Sequence, residues 1–286
     1  MSIDLSLLPP PNIIEPLDFE QILTERKARL VSLYPEAEQA AMAALLELES
    51  EPLTKLLQEN AYRELLLRQR INDGARAVLA PFSSGADQDN LLVLLQAERL
   101  EGESDSDFRN RALLGVFAYS TAGPAEAYRY HARSAHPEVL DVAVDRPSPG
   151  QVRVTILSRA DDGAPSQQVL RAVEQALNAD DIRPLNDEVQ VEAGGVEAYK
   201  VRARLYVPPG AAPEPILQAA RSAAEQYVAA QHRLGAAVRL SGIYAALHQP
   251  GALRVELLEP VADIEPMARV APRCSAIELS MESQYV

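Results

Sequence analysis

Residues 104 to 136 read SDSDFRNRALLGVFAYSTAGPAEAYRYHARSAH and gather side chains that could move protons: Tyr119, Tyr128, Tyr130, His131, His136, Asp105, Asp107 and Ser104. Such a set could supply a general acid, a general base and a nucleophile. Spacing argues otherwise. His131 and His136 are five residues apart, which does not place them on one helical face, whereas a helical zinc pair needs HxxxH. The remaining histidines, His232 and His248, are distant in sequence, and Cys274 sits in an Arg, Cys, Ser context with no local partner.

Other catalytic signatures are missing from the chain. It contains no GxSxG elbow, no GxxxxGK[ST] loop and no GxGxxG; Gly194 and Gly195 stand alone before a strand pattern. Paired carboxylates occur at Asp105 and Asp107, and at Asp161 and Asp162, but at a helix start and in a turn, where acids serve the helix dipole or solvent. Neither a metal nor a cofactor site is expected. An enzyme built around His131 or His136 is the alternative left open. The other reading of the same stretch is packing and contact: Tyr128 and His131 lie three apart and share a face, where they could close against Phe108 and Tyr119. Together with Arg129 and Arg133 they form a tyrosine-rich seam of the kind that dominates protein interfaces.

The elements that must hold these residues follow from periodicity. Pro9, Pro10, Pro11 and Pro16 make residues 1 to 16 an extended arm, and helices are expected over 18 to 33 and 36 to 49. The stretch EPLTKLLQENAYRELLLRQRINDGARAVLAPF reads as the longest helix, roughly 30 residues and about 45 Å. Leu53, Leu56, Leu57, Ala61, Leu65, Ile71, Ala75, Val78 and Leu79 recur along it at helical spacing, with Leu66 and Leu67 widening the stripe. A helix of that length outruns one small core and should pack along other long helices, including those of other subunits.

A helix from about 87 to 97 leads to a capped hairpin. Ser104 and Asp107 form a capping box, Phe108, Ala112, Gly115, Val116 and Tyr119 share one face, and Gly123 with Pro124 separates the second helix, which Pro137 stops. From 139 the period becomes two: Leu140, Val142 and Val144, a PSPG turn, then Val152, Val154 and Ile156 read as a hairpin with one buried face. A helix capped by Ser166 and a strand through Val189 and Val191 follow. The plan then repeats, with Tyr199, Val201, Ala203, Leu205 and Val207 alternating against Lys200, Arg202 and Arg204, helices over 214 to 231 and 241 to 248, and strands at 253 to 257 and 277 to 282. The fold class is therefore α+β, an N-terminal long-helix region followed by a helical hairpin and two small strand-helix-strand units. The expected divisions are 1–84, 85–138, 139–196 and 197–286, the last two repeating in pattern only.

Composition limits the partners. The chain has 286 residues, 47% hydrophobic, with a formal net charge of -14, and no basic patch relieves it, which disfavours nucleic acid. Positive charge is carried by 24 Arg and only 3 Lys. One cysteine offers no internal disulfide, no apolar run approaches the roughly 20 residues of a membrane span, and the N-terminus does not read as a signal peptide, so a protein made and kept in the cytoplasm, unless a larger assembly carries it out, is expected.

The order of several stretches adds a resemblance. EPLTKLLQENAYRELLLRQRINDGARAVL, SGADQDNL, EGESDSDFRNRALL, AGPAEAYRYHARSAHPEVLDVAVDRPSPGQVRVTIL, RPLNDEVQV and LGAAVRLSGIYAALHQPGALRVELLEP together resemble the baseplate J-like family of contractile phage tails and R-type pyocins. The likeness runs from about residue 45 to the end. It implies a structural wedge subunit: two copies join one companion wedge protein through a helix bundle, and six wedges close a ring around the hub, beside the sheath-initiating proteins. That ring changes its connections when the sheath contracts. Type VI secretion baseplates use related proteins. On this resemblance the helix from Pro52 to Leu79 belongs to the intersubunit bundle and the two α+β units to the contacts between wedges.

Overall fold

The structure is a computed structural model, and residues 9, 11–120, 123–160, 162–209 and 213–283 are described. Two compact units divide it, Met1–Leu94 and Leu95–Val286. In the first, α1 (Phe19–Val31) starts where Asp18 Oδ1 accepts from the N–H groups of Glu20 and Gln21, at 2.9 and 3.1 Å. This supplies partners for two of the donors that a helix start leaves free. Pro35 sets the entry of α2 (Glu36–Leu46), and Pro52 occupies the first turn of α3 (Pro52–Ala77), where its missing N–H costs nothing. Helix α4 (Gly85–Leu92) runs on into a 3₁₀ turn at Val93–Leu95.

Helix α3 has 26 residues, about 39 Å at 1.5 Å per residue, and stops four residues before Pro81, where its path breaks into turns. It packs against α1 through Ala61, Leu57 and Leu65 meeting Ile22, Leu23 and Phe19. The expected extended arm needs correction over its described part. Ile14 N–H donates to the Pro11 carbonyl in a turn, and Asn72 of α3 clamps Glu15 by accepting from its N–H and donating to its carbonyl, at 3.1 and 2.9 Å. Residues 1–8 and 10 lie outside the described residues.

The second unit opens with the expected hairpin of α5 (Asp105–Ala118) and α6 (Ala125–Ala135). Strands β1 (Val139–Asp145) and β2 (Gln151–Ser158) pair antiparallel, α7 (Gln167–Leu177) follows its Ser166 cap, and β3 (Glu188–Ala193) joins parallel to β2. Helices α6 and α7 cover this sheet, with Tyr128, Ala132, Val169, Val173 and Leu177 against Val142, Val154 and Ile156. A register shift between Val139 and Asp141 puts Val139, not the expected Leu140, in the core.

The second sheet holds β4 (Gly195–Val207) at its centre, β5 (Arg254–Glu259) antiparallel on one side and β6 (Val270–Ser283) parallel on the other. Helices α8 (Pro213–Gln231) and α9 (Leu240–Leu247) cover it, with Ala220, Ala224, Ile243 and Leu247 on Val201, Ala203 and Leu205. Each sheet thus has a central strand with one antiparallel and one parallel neighbour. The chain paths differ: the antiparallel strand precedes the centre in the first sheet and follows it in the second. The repeat is therefore one of strand polarity, not of connection.

Candidate interaction surfaces

The residues that drew a catalytic reading are held by the α5–α6 hairpin, and most are engaged in holding it. Ser104 Oγ accepts from the Asp107 N–H at 3.2 Å, closing the cap. Arg111, 2% exposed, grips Glu103 with two parallel bonds, Nε to Oε1 at 2.8 Å and Nη2 to Oε2 at 2.7 Å. It also donates to the Glu98 carbonyl and to Ser134 Oγ, at 2.6 and 3.0 Å, so one guanidinium ties α5 to both the preceding loop and α6. Burial pushes the Glu103 carboxyl up, but the bonds from Arg111 and the Leu100 N–H, with the charge of Arg111, outweigh it and hold the group below its ordinary range. Phe108 is buried with the guanidinium groups of Arg99 and Arg111 over its ring, 4.7 and 5.5 Å from the centroid.

Tyr128 and His131 do share a face of α6. Tyr128 is buried in the core of the first sheet, and its hydroxyl donates to Asp187 Oδ2 at 2.7 Å; burial first, then that carboxylate, raise its pKa. Its side chain is used in this core, the packing role that its spacing also allowed. His131 stands edge-on to Tyr130, ring centroids 5.3 Å apart, and burial lowers its pKa while the charge of Asp181 opposes. Both line a cavity of about 590 Å³ with Tyr119, Tyr130, Asp180 and Asp181. Arg129 stays at the surface with Glu126, 3.5 Å away. Tyr119 and Val116, expected on the packed face, are exposed, and Arg111 takes part in that face instead.

The other candidates are dispersed. His136 caps the end of α6, its Nδ1 accepting from the Glu138 N–H at 3.2 Å. His232 Nδ1 lies 3.0 Å from the Pro272 carbonyl, and His248 ends α9. Burial raises the Cys274 thiol, which points at the Ala276 carbonyl. Asp162 accepts from the Ala164 N–H in a turn, and Asp161 lies outside the described residues. Gly194 and Gly195 mark a changeover: the N–H of Gly194 donates to Ile156 of the first sheet, that of Gly195 to Arg269 beside the second. A Cβ on Gly194 would meet Leu234 Cδ2 at 2.8 Å. Among the described residues no three His, Cys, Asp or Glu side chains are grouped to hold a metal ion.

Helix α3 divides the apolar stripe between two faces. Leu57, Ala61 and Leu65 are used inside the unit, on α1, and Leu53 and Ala75 are partly covered. Leu56, Ile71 and Val78 are open, as is Leu67, 66% exposed. Positions 56, 67, 71 and 78 fall within about 60° of one another at 100° per residue, so they form one narrow apolar line about 110° round the helix from the packed face. Gly74 lies on the same line, and a side chain there would meet nothing within 4 Å. Ion pairs flank the packed side: Arg68 meets Glu64 at 2.7 Å and Glu15 at 3.3 Å.

Comparison with known proteins aligns with these elements. A family model described as the Baseplate J-like N-terminal domain matches residues 49–103, which include all of α3, and one described as the Baseplate J-like central domain matches residues 120–193, which include α6 and the first sheet. Over 288 residues the chain is 46% identical to Baseplate protein J of Escherichia phage P2, covering 96% of this chain and 95% of that protein.

Proposed function

The chain belongs to the Baseplate J-like family, and from that premise we propose that it is a structural subunit of a phage tail baseplate, a wedge protein that works by contact and not by turnover. The observation that carries this is the identity to the P2 baseplate protein along nearly the full length of both chains. That relative also favours a phage particle over a type VI secretion baseplate. In this reading the open line of Leu56, Leu67 and Ile71 on α3, with Val78 just past its end, joins a bundle with a second copy and a companion wedge protein. Leu57, Ala61 and Leu65 brace that helix from an adjoining side. Each apolar side chain removed from water there adds about 25 cal/mol per Å².

The second unit, in this reading, makes the contacts between wedges, near the hub and the sheath-initiating proteins, and those contacts exchange when the sheath contracts. An exchange of that kind needs two arrangements of similar free energy, so each contact must be modest. Engagement of the titratable groups supports a non-catalytic role: Glu103, Arg111, Tyr128 and His136 serve caps, clamps or cores, and the Asp107 carboxylate pairs with Arg159 at 3.0 Å. The test is co-expression with the product of the adjacent tail gene. A stable heteromeric complex holding two copies of this chain is the expected result; a monomer indifferent to that partner would overturn the reading.

A further inference from the structure

Strand β6 lies at one edge of the second sheet and, among the described residues, pairs with β4 alone. Its register steps at Ser275, from Cys274 opposite Tyr199 to Ala276 opposite Lys200, and this bulge sets the phase of all that follows. Beyond it Ile277, Leu279 and Met281 turn their side chains to the helix-covered core. Glu278, Ser280 and Glu282 face solvent.

Backbone polar groups alternate along a strand with the same period. The Tyr206 carbonyl accepts from the Leu253 N–H on the β5 side, so even-numbered residues of β4 point to β5 and odd-numbered ones to β6. With Ala203 opposite Leu279, the groups that answer them on β6 belong to residues 278, 280 and 282. Those of Ile277, Leu279 and Met281 therefore point to the open side. Consistent with this, the Ile277 carbonyl accepts from Arg221 Nη1 of α8 at 3.2 Å. Leu279 and Met281 offer the next two sets of donor and acceptor along an edge with no proline after Pro272.

The solvent face beside this edge is striped by charge. Glu256 and Glu259 on β5, Arg202 and Arg204 on β4, then Glu278 and Glu282 on β6 give columns of alternating sign, joined at Arg202–Glu259 (2.8 Å), Arg204–Glu256 (3.8 Å) and Arg204–Glu282 (3.2 Å), with Arg254 at the start of β5 lying over the Tyr206 ring as the exception. The next column in the series is positive. A second copy of β6 supplies no positive column: antiparallel pairing centred on Ser280 would set Glu278 against Glu282, and like charges directly opposite are destabilising.

We propose that the open edge of β6 is a strand-addition site for an extended segment of another protein in which basic side chains alternate with apolar ones. The basic residues would continue the charge stripes beside Glu278 and Glu282, the apolar residues would extend the layer under α8, and main-chain bonds to Leu279 and Met281 would supply affinity. This surface is separate from the α3 line and does not rest on the bundle.

A labelled ten-residue peptide alternating valine and lysine tests it against one alternating valine and glutamate, by fluorescence anisotropy with the full chain. The lysine peptide should bind, and hydrogen exchange at the Leu279 and Met281 amides should slow when it does. Glu278→Lys with Glu282→Lys, at exposed positions that leave the core intact, should weaken that peptide by about tenfold or more and admit the glutamate peptide. Leu279→Pro, which removes an outward N–H while sparing the ladder to β4, should abolish both. No binding of the lysine peptide, equal binding of the two peptides to the native chain, unchanged exchange at those amides, or a dimer that Leu279→Pro dissolves would each overturn the proposal.

Discussion

Arg111 is the residue on which the hairpin depends most. Its guanidinium meets four acceptor atoms, three on Glu98 and Glu103 of the preceding loop and one on Ser134 of α6. Arg111→Ala leaves the Glu103 carboxylate buried without its cation, and breaking a buried pair in this way costs about 3–5 kcal/mol; chemical denaturation should show an unfolding free energy lowered by that amount. Arg111→Met with Glu103→Leu should recover most of the loss, because the charge is then removed with its partner. Acid gives an independent check. Glu103 titrates lower in the fold than in the unfolded chain, so between those two values the unfolded state binds more protons. The stabilisation is complete above the unfolded pKa and is lost as pH falls through the folded one. His131, also lowered, acts with the same sign at higher pH: it is destabilising to protonate, and His131→Gln should flatten the fall in stability just below the ordinary histidine range. Melting temperatures measured across that range would report it.

At the scale of elements, α3 separates two roles that its sequence superimposes. Ile71→Glu lies on the open line and should change stability by no more than about 0.5 kcal/mol, yet prevent the heteromeric complex from forming on co-expression. Ala61→Leu lies on the packed line, where overfilling costs about 1–3 kcal/mol, and it should lower the melting temperature with or without a partner. Gly242→Ala belongs with the second kind, since a Cβ there would come within 2.5 Å of the Tyr227 ring, whose hydroxyl is fixed by both backbone groups of Arg239. The helices, the Ser104 and Ser166 caps and the first β-hairpin were legible because cap residues and periodicity are local signals. Which half of the α3 stripe meets α1 was not, because eight or more apolar positions wrap too far around a helix to name one side. Val139 in place of Leu140, and the start of β6 at Val270 with its bulge at Ser275, were hidden for a related reason, although the alternation from Ile277 onward was legible. One inserted residue inverts a period of two, and the sequence does not mark the insertion. Arg111 was missed because a charged residue at a core position is legible only when its partners, Glu103 and the Glu98 carbonyl, are known to converge on it.

At the scale of the molecule, the two sheets of the second unit follow one another with almost no connecting chain. Gly194 bonds to the first and Gly195 to the second, and a seam of side chains crosses beside them: Arg269 reaches Glu192 at 2.9 Å, Arg153 approaches the same carboxylate at 3.8 Å, and Asp141 accepts from the Leu234 N–H at 3.0 Å. The consequence is mechanical. A pull delivered to the first sheet passes into β4 through a taut main chain with no slack to take up, and β4 is zipped to a parallel neighbour over most of its length. Parallel strands pulled along their axes must shear many hydrogen bonds at once, whereas a hairpin can peel one at a time. The changeover at Gly194–Gly195 therefore makes the second unit a stiff tether, one that transmits a displacement from end to end before it yields.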